Sequence, residues 1–278
     1  MIKNDPYGDL SDKDFKQISD YIYDNYGILL YPKKKLLVKS RLQKRIKKLN
    51  LNTYSEYCKY LLNNEDESVE MIDRISTNKT DFFREVSHFH YLREEILKGY
   101  FQDINTNGLK IWSAACSSGQ EPYSLAMMLE DISNTKKFNF EIMASDISIS
   151  MLKTAKTAIY PFALINQIPD NYIKKYLLKS KDNSKAQFRI APEIRSKTKF
   201  FFHNLLADKV KYPYNFDVIF CRNTLIYFDR ETQAKVISKL LNKLNNNGLL
   251  FLGHSESLIN MNLNLEVVYP SVYKKNYK

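Results

Sequence analysis

The sequence predicts an α/β protein: a doubly wound, mostly parallel sheet, a small all-α domain before it, and an antiparallel β-subdomain inserted within it. Residues 1 to about 95 show helical patterns throughout, whereas strand and helix patterns alternate from about residue 110 onward, as in doubly wound sheets. Residues 161 to about 203 break this alternation with three prolines and short alternating segments. We therefore divide the chain into residues 1–95, a helical domain with a linker, and residues 96–278, the sheet domain, with the insertion at about 161–203.

The composition predicts a folded protein with an anionic partner. The 278 residues are 44% hydrophobic, enough for a packed core. The net charge of +11 indicates nucleic acid, an acidic protein surface or membrane headgroups as partner. Residues 1–10 lack the apolar core of a signal peptide, and no apolar run approaches the ~20 residues of a membrane span. Because Cys58, Cys116 and Cys221 lie far apart and lack metal-ligand spacing, we expect a reduced, cytoplasmic protein that binds no metal.

The N-terminal region is predicted to consist of helices. Ser11 with Asp14 is typical of a helix N-cap, and the helix that follows is expected to end before Gly27. A second helix follows Pro32, with apolar residues at helical spacing. Two shorter helices are expected at residues 53–62 and 67–76. The other faces of the second helix carry basic residues and no acid: Lys33, Lys34, Lys35, Lys39, Arg41, Lys44, Arg45, Lys47 and Lys48.

The sheet domain is predicted from short apolar runs and the helical patterns between them. Such runs are typical of strands that are buried on both faces of a parallel sheet. Strands are expected at residues 109–115, 140–147, 216–222 and 249–253. Helices are expected at residues 121–132, 148–159 and 230–244. Within the insertion we expect a helix at residues 171–178 and strands at residues 187–190 and 199–203.

Two segments at the ends of neighbouring predicted strands suit a nucleotide-like ligand. Residues 112–124 form a strand, a turn of small residues and a helix, so that a ligand can approach the backbone and the helix N-terminus. Asp146 ends the next strand, where an acid in a Rossmann-like sheet can accept hydrogen bonds from a ribose diol. The alternatives are an ordinary tight turn and an N-cap at Asp146. The two segments together favour the ligand.

Two further segments bring reactive side chains toward the same edge. Residues 216–229 change from apolar to polar where a buried strand ends, so Asn223 and Tyr227 are expected to face a cleft. The alternative is an ordinary strand exit before a capped helix. Residues 78–85 combine two adjacent aromatics with Arg84, which suits a lid over a flat ligand. For this segment the pattern alone favours the alternative, a hydrophobic hinge with a surface ion pair.

Taken together, these segments resemble the chemotaxis receptor methyltransferases of the CheR family. The motifs occur in the family's order: T-D-F-F-R (80–84), W-S-A-A-C-S-S-G-Q-E-P-Y-S (112–124), A-S-D-I (144–147), F-F-H-N-L-L (201–206), F-D-V-I-F-C-R-N-T-L-I-Y-F-D (216–229) and G-L-L-F-L-G-H-S-E-S-L (248–258). The helical region is also similar, including S-R-L-Q-K-R at residues 40–45. The resemblance therefore covers nearly the whole chain.

The resemblance implies an enzyme that uses S-adenosylmethionine to esterify glutamate side chains of chemotaxis receptors and releases S-adenosylhomocysteine. It implies that Glu121 and Asp146 hold the amino end and the ribose of this cofactor. The further cofactor contacts that it implies are Asn78, Thr80, Arg84, Asn204, Leu205, Arg222 and Asn223. Tyr227 would stand near the transferred methyl group, and we assign Tyr227 and Arg84 to catalysis, as groups that orient the receptor carboxylate. The family can have a further arginine after the F-F-R motif, and the sequence does not place it.

The expected partner is the cytoplasmic domain of a chemotaxis receptor, an acidic helical coiled coil in this family's systems. We expect Lys39, Arg41, Lys44, Arg45 and Lys48 to dock on it, because complementary charge speeds encounter. The alternative is a solvated helix face.

We expect a monomer that binds no nucleic acid and does not insert into a membrane. Two other classes remain open. One is a nucleic-acid methyltransferase, in which the basic residues would contact phosphates. The other is a non-catalytic sensor that binds S-adenosylmethionine.

Overall fold

The computed structural model describes residues 8–276 except 102–106, 181, 183, 209, 211–213, 260 and 262. The helices are α1 (Asp12–Tyr26), α2 (Lys35–Lys48), α3 (Tyr54–Asn63), α4 (Glu65–Ile75), α5 (Val86–Lys98), α6 (Gln120–Lys136), α7 (Ile149–Thr157), α8 (Asp170–Tyr176), α9 (Pro192–Ser196) and α10 (Arg230–Asn242). The strands are β1 (Leu109–Ala114), β2 (Phe140–Asp146), β3 (Ile159–Pro161), β4 (Leu177–Lys179), β5 (Gln187–Ile190), β6 (Thr198–Phe202), β7 (Phe216–Cys221), β8 (Leu244–Leu252), β9 (Leu265–Tyr269) and β10 (Val272–Lys275). In this described part of the chain, no helix is long and apolar enough to cross a membrane.

Helices α1 to α4 enclose an apolar core of their own. Ser11 Oγ accepts a hydrogen bond from the Asp14 amide at 3.0 Å and caps α1. Gly27, with φ of 69°, ends this helix in the left-handed conformation that glycine adopts without steric cost. The buried side chains of the bundle include Ile18, Ile22, Val38, Leu42, Ile46, Tyr57, Leu61, Met71 and Ile72. The predicted cap and the apolar spacing of α2 are confirmed.

The main sheet has the strand order β6-β2-β1-β7-β8-β10-β9. Its strands are parallel except β10, which runs antiparallel to β8 and β9. Successive residues point to opposite faces: Ile111 packs in the core with α5 and α6, whereas Trp112 packs in the core with α10. The parallel strands therefore place all their carboxyl ends at one edge, which confirms the predicted doubly wound sheet.

The inserted β-subdomain is smaller than the sequence predicts. Strands β3, β5 and β4 form a separate antiparallel sheet, which begins at Ile159 and ends at Ile190. In contrast, β6 lies in the main sheet, parallel to β2, with Thr198 opposite Ile142. The expectation that residues up to about 203 belong to the insertion is wrong for β6, because Phe200 and Phe201 pack against cores on the two faces of the main sheet.

Two regions near the C-terminus differ from the prediction. The last helix ends at Asn242, and β8 begins at Leu244, where the expected strand began at residue 249. Leu244 is fully buried, and the Phe216 amide donates to the Lys243 carbonyl oxygen at 2.8 Å, which draws this segment into the sheet. The antiparallel pair β9 and β10 had no sequence prediction.

Candidate active site

One cleft contains every residue that the sequence predicts for cofactor binding or catalysis. It lies at the carboxyl ends of β1, β2 and β7. These predicted residues line it: Asn78, Thr80, Arg84, Glu121, Asp146, Asn204, Leu205, Arg222, Asn223 and Tyr227. Residues of the helical bundle and of the linker after α4 line its other side, including Tyr26, Ile28 and Ile75. The cleft is therefore built from both parts of the chain.

The turn between β1 and α6 forms the floor of the cleft. Ala115 and Ser117 adopt positive φ angles of 69° and 49°, which is unusual for residues with side chains. Gly119, with φ of 96°, has no room for a side chain, because a Cβ there would lie 2.9 Å from the Ala155 Cβ and 3.0 Å from the Tyr160 Oη. The turn thus presents backbone and small side chains to the cleft, as the sequence predicts.

Asp146 is a buried acid that two backbone amides hold. Its Oδ2 accepts from the Ser117 amide at 2.7 Å and its Oδ1 from the Ser148 amide at 2.8 Å. Burial raises the pKa of Asp146 to about 6, although these hydrogen bonds favour the ionised form. The N-cap of α7 is Ser148, whose Oγ accepts from the Met151 amide. The alternative role of Asp146 as an N-cap is therefore wrong.

Arg222 is a buried cation that lies between two carboxylates. Its Nη2 lies 3.1 Å from Oε2 of Glu85 and its Nη1 lies 3.4 Å from Oε2 of Glu121. Glu121 also accepts from Ser113 Oγ at 2.7 Å. Burial raises the pKa of Glu121, and Arg222 opposes this effect. Arg222 also donates to the carbonyl oxygen of Arg84. Arg84 and Arg222 thus both line the cleft, Arg222 from the exit of β7.

The chain reverses sharply at Asn223, and Glu256 fixes this turn. Asn223 has a φ of 57°. Oε2 of Glu256 accepts from the Asn223 amide at 2.8 Å and from the Gly253 amide at 2.7 Å, which joins the ends of β7 and β8. Neither Glu256 nor Glu85 was predicted as a site residue from the sequence. Glu256 lies within the motif G-H-S-E-S, and Glu85 directly follows F-F-R. This proximity to the motifs was the sequence feature that could have identified them as site residues.

The aromatic pair before Arg84 does not form a lid over the cleft. Phe82 packs edge-on against Tyr160 and Phe83 stacks on Tyr172, so both rings belong to the core of the sheet domain. Arg84 instead faces the cleft from a strained turn, because Phe83 has a φ of 51° and Glu85 a φ of 56°. The predicted surface ion pair is also wrong, since the partner of Glu85 is the buried Arg222.

Contacts from the helical bundle hold the remaining side of the cleft. The Leu29 amide donates to the carbonyl oxygen of Tyr227 at 2.9 Å, beside an isolated bridge between Ile28 and Phe228. Asn204 Nδ2 donates to the Asn25 carbonyl oxygen at 2.8 Å. These bonds join the end of α1 to the segments that carry Tyr227 and Leu205.

The basic residues of α2 do not form one docking surface. Arg45 is 8% exposed, and its Nε donates to Oε1 of buried Glu67 at 3.0 Å, which contradicts its predicted receptor contact. Arg41 is also diverted, because it donates to the carbonyl oxygens of Ile75 and Ser76 and fixes the end of α4. Lys39 forms an ion pair with Asp9 at 2.5 Å. Lys44 and Lys48 are exposed.

Glu85, His88 and His254 bring three potential metal ligands within 4.8 Å of one another. We assign no metal here for two reasons. The carboxylate of Glu85 already accepts from Asn223 Nδ2 and the His254 amide. The positive charge of Arg222 lies 3.1 Å from the same carboxylate and opposes cation binding. The expectation that the protein binds no metal stays a prediction.

The fold and the cleft define a class of protein, the S-adenosylmethionine-dependent methyltransferases. Three features are typical of this class: a parallel sheet with an inserted antiparallel strand, a turn of small residues after β1, and an acid at the end of β2. The side chains also fit the cofactor. Asp146 can accept from ribose hydroxyls, Glu121 can pair with an ammonium group, and Leu205 offers an apolar surface for a base.

Comparisons with known proteins identify the family. The family sequence model described as "CheR methyltransferase, SAM binding domain" matches residues 78–273, and that described as "CheR methyltransferase, all-alpha domain" matches residues 13–76. The chain is 40% identical over 263 residues to a chemotaxis protein methyltransferase of Borreliella burgdorferi, covering 92% of this chain and 91% of that protein. It is 34% identical over 266 residues to the chemotaxis protein methyltransferase of Escherichia coli, covering 95% and 91%.

The chain therefore belongs to the CheR methyltransferase family, and it is an S-adenosylmethionine-dependent methyltransferase. The predicted family, fold class and cofactor are confirmed. A solved structure of the plantazolicin methyltransferase BpumL in complex with SAH is 17% identical, with a TM-score of 0.32, over 61% of this chain and 49% of that chain. The family assignment rests on the sequence relatives and not on this distant match.

Proposed function

We propose that this chain transfers methyl groups from S-adenosylmethionine to glutamate side chains of chemotaxis receptors and releases S-adenosylhomocysteine. The observation that carries the proposal is the convergence of Tyr227, Arg84 and two acids, Glu121 and Asp146, on one cleft in a chain of the CheR family. The relatives are chemotaxis protein methyltransferases, which supports receptors as the methyl acceptors over nucleic acid and over a non-catalytic sensor.

The chemistry that this site has to perform needs no general base. A glutamate carboxyl has a reference pKa of about 4.3, so it is ionised at neutral pH and ready to attack. S-adenosylmethionine supplies a methyl group that is activated by a positively charged sulfur. The side chains of the cleft then have to align the carboxylate and exclude water from it, since they have no proton to move.

We assign cofactor binding to the floor and walls of the cleft. Asp146 would accept hydrogen bonds from the ribose, and Glu121 would pair with the amino group, whose charge favours the ionised carboxylate. The remaining cofactor contacts would come from Asn78, Thr80, Asn204, Leu205, Arg222 and Asn223. Tyr227 and Arg84 lie at the same cleft and would orient the receptor carboxylate.

We further propose that the receptor approaches over α2. Leu37, in the first turns of this helix, lines the cleft, and the exposed Lys44 and Lys48 lie further along it. Positive charge there would attract an acidic receptor helix and hold it near the cleft. We infer that the enzyme acts as a monomer in the cytoplasm.

A direct test compares methyl acceptors side by side. The protein is incubated with radiolabelled S-adenosylmethionine and, separately, with a receptor cytoplasmic fragment, with RNA and with DNA. We expect label in the receptor fragment, and loss of that label when its methylation-site glutamates are replaced by alanine. Label in nucleic acid but not in the fragment would refute the proposal, and so would the absence of transfer to any acceptor by protein that binds S-adenosylhomocysteine.

A further inference from the structure

Glu85 joins three separate segments around the cleft with one carboxylate. Its Oε2 accepts from Arg222 Nε at 3.3 Å, and its Oε1 accepts from Asn223 Nδ2 at 3.2 Å and from the His254 amide at 3.3 Å. Its backbone is held at a φ of 56° at the start of α5. A residue with a strained backbone and hydrogen bonds to two distant segments of the chain points to a function beyond starting a helix.

The main partner of Glu85 is Arg222, a cation that lines the cleft. The side chain of Arg222 is only 2% exposed. Its Nη1 has no hydrogen bond to the described residues but lies 3.4 Å from Oε2 of Glu121, the carboxylate that we assign to the amino group of the cofactor. Burial acts to raise the pKa of Glu85, but Arg222 and the bond from Asn223 outweigh it and lower this pKa. Glu85 is thus a negative counter-charge beside Arg222 at neutral pH.

The charge of Arg222 matters because an incoming carboxylate loses charge as it reacts. An unbalanced cation stabilises the fully charged carboxylate more than the partly neutralised transition state, which tightens binding and slows the reaction. A balanced arginine can still orient the carboxylate through its N–H groups. The net charge beside the cleft therefore determines how much of the attraction between Arg222 and the carboxylate is retained in the transition state.

We propose that Glu85 is a positioning residue that neutralises Arg222, so that the cleft orients the receptor carboxylate without holding it too tightly to react. The proposal rests on the proposed function, because it assumes that the methyl acceptor is a carboxylate. It assigns Glu85 no contact with the substrate, since its oxygens are used by Arg222, Asn223 and His254.

The test replaces the charge of Glu85 while keeping its size. Glu85→Gln is compared with wild type and with Glu95→Gln, a control on the same helix whose carboxylate pairs with Lys98 at 3.3 Å. Two sets of measurements are made: the kcat and KM for a receptor fragment, and the affinities for fragments carrying glutamate or glutamine at the methylation sites. Affinities are measured with S-adenosylhomocysteine bound, so that no reaction occurs.

For Glu85→Gln we expect kcat to fall about tenfold and KM to fall with it, as when ground-state binding tightens. The preference for the glutamate fragment over the glutamine fragment should rise by roughly threefold to tenfold. The Glu95→Gln control should match wild type. A fall in kcat with an unchanged or higher KM and an unchanged preference would show a merely structural role and overturn the proposal.

Glu85→Asp keeps the test decisive if the glutamine variant does not fold. The shorter carboxylate loses part of the hydrogen-bond set but keeps its charge, so the preference between the two fragments should stay within about twofold of wild type. A rise as large as that expected for Glu85→Gln would contradict the proposal. If the wild-type protein methylates no receptor fragment, the proposed function is refuted instead. The wild-type measurement therefore distinguishes failure of the proposed function from failure of the proposal for Glu85.

Discussion

At the scale of single residues, the cleft contains unfavourable backbone conformations and a buried ionisable side chain. Ala115, Ser117 and Asn223 have positive φ angles, and Asp146 is ionisable although it is only 6% exposed. Such features persist where a preorganised site requires them. The pH dependence of ligand binding should therefore report on Asp146 directly.

We predict that affinity for S-adenosylhomocysteine decreases as the pH falls through about 6. The pKa of Asp146 is raised to about 6 in the cofactor-free protein. Ribose hydroxyls donate to the ionised carboxylate, so protonation below that pH removes an acceptor and weakens binding, by at most about tenfold per pH unit. Calorimetric titrations between pH 5 and 8 measure this. Asp146→Asn should bind more weakly at pH 7.5 and lose the dependence; a wild-type affinity that does not change over this range would contradict the assignment.

We predict that Tyr227→Phe lowers turnover more than it lowers cofactor affinity. Tyr227 lines the same cleft as Ala115 and Ser117, and its hydroxyl is proposed to orient the acceptor carboxylate. Loss of one such hydrogen bond should reduce kcat by roughly tenfold to a hundredfold. Steady-state kinetics and calorimetry with S-adenosylhomocysteine separate the two effects. If affinity falls while kcat is retained, Tyr227 binds the cofactor instead.

Three motifs meet in the cleft because parallel strands end at one edge of the sheet: residues 112–124, 144–147 and 216–229 each contain the end of such a strand. The site roles assigned to their residues stay predictions. Glu85 and Glu256 were missed because their partners lie far along the chain: Arg222 lies 137 positions from Glu85. No periodicity or spacing in one segment reveals such a contact.

At the scale of elements, the basic residues of α2 belong to two different faces, one buried against α4 and one exposed, and the sequence pattern does not distinguish them. The inner face of α2 buries Arg45 against Glu67, whose Oε1 also accepts from Tyr57 Oη at 2.9 Å. Its exposed face carries Lys44, Lys47 and Lys48. The sequence pattern predicted one basic surface, because it does not show which acids of α4 face the helix.

We predict that Arg45→Ala destabilises the protein and leaves receptor recognition intact. Removing one partner of a buried ion pair leaves a charge without compensation, which costs about 3–5 kcal/mol. Urea denaturation should show this loss, whereas Lys47→Ala, at an exposed position of the same helix, should stay within about 0.5 kcal/mol of wild type. The folded fraction of Arg45→Ala should keep the wild-type KM for receptor. A wild-type stability together with a raised KM would restore Arg45 as a docking residue.

We predict that reversing the exposed charges of α2 weakens receptor methylation at low salt. The triple variant Lys44→Glu, Lys47→Glu, Lys48→Glu should lose about tenfold in kcat/KM, because attraction of an acidic receptor becomes repulsion. The loss should shrink at high ionic strength, where screening removes both effects. The matched control reverses three exposed lysines of the sheet domain, Lys153, Lys156 and Lys174. Equal losses in both variants would show that net charge, and not α2, governs encounter.

At the scale of the whole molecule, the alternation of strands and helices was sufficient to predict a doubly wound sheet. It was insufficient to place β6, because a five-residue strand that ends in three consecutive phenylalanines has the same sequence pattern at the edge of the main sheet as in an inserted sheet. The pairing that decides between them, Thr198 opposite Ile142, is a long-range contact. The short pair β9 and β10 escaped prediction, and the proposed division of the chain near residue 95 stays a prediction.

The arrangement of the molecule explains why both parts of the chain are needed for one site. The end of α1 contacts the segments that carry Tyr227 and Asn204, and Asp73 of α4 accepts from the Ser150 amide at the start of α7 at 2.9 Å. The helical bundle thus closes the cleft over the carboxyl edge of the sheet, where an incoming receptor side chain would be separated from water.

The nature of the bond that the enzyme forms is the most direct test of this account. A receptor fragment is labelled with the radioactive methyl group of S-adenosylmethionine, purified and treated with mild alkali. Methyl esters of glutamate are hydrolysed under these conditions, so we predict that the label is released as volatile methanol. Label that stays on the protein through this treatment would show transfer to nitrogen or carbon, and it would contradict a site that needs no general base and serves a carboxylate.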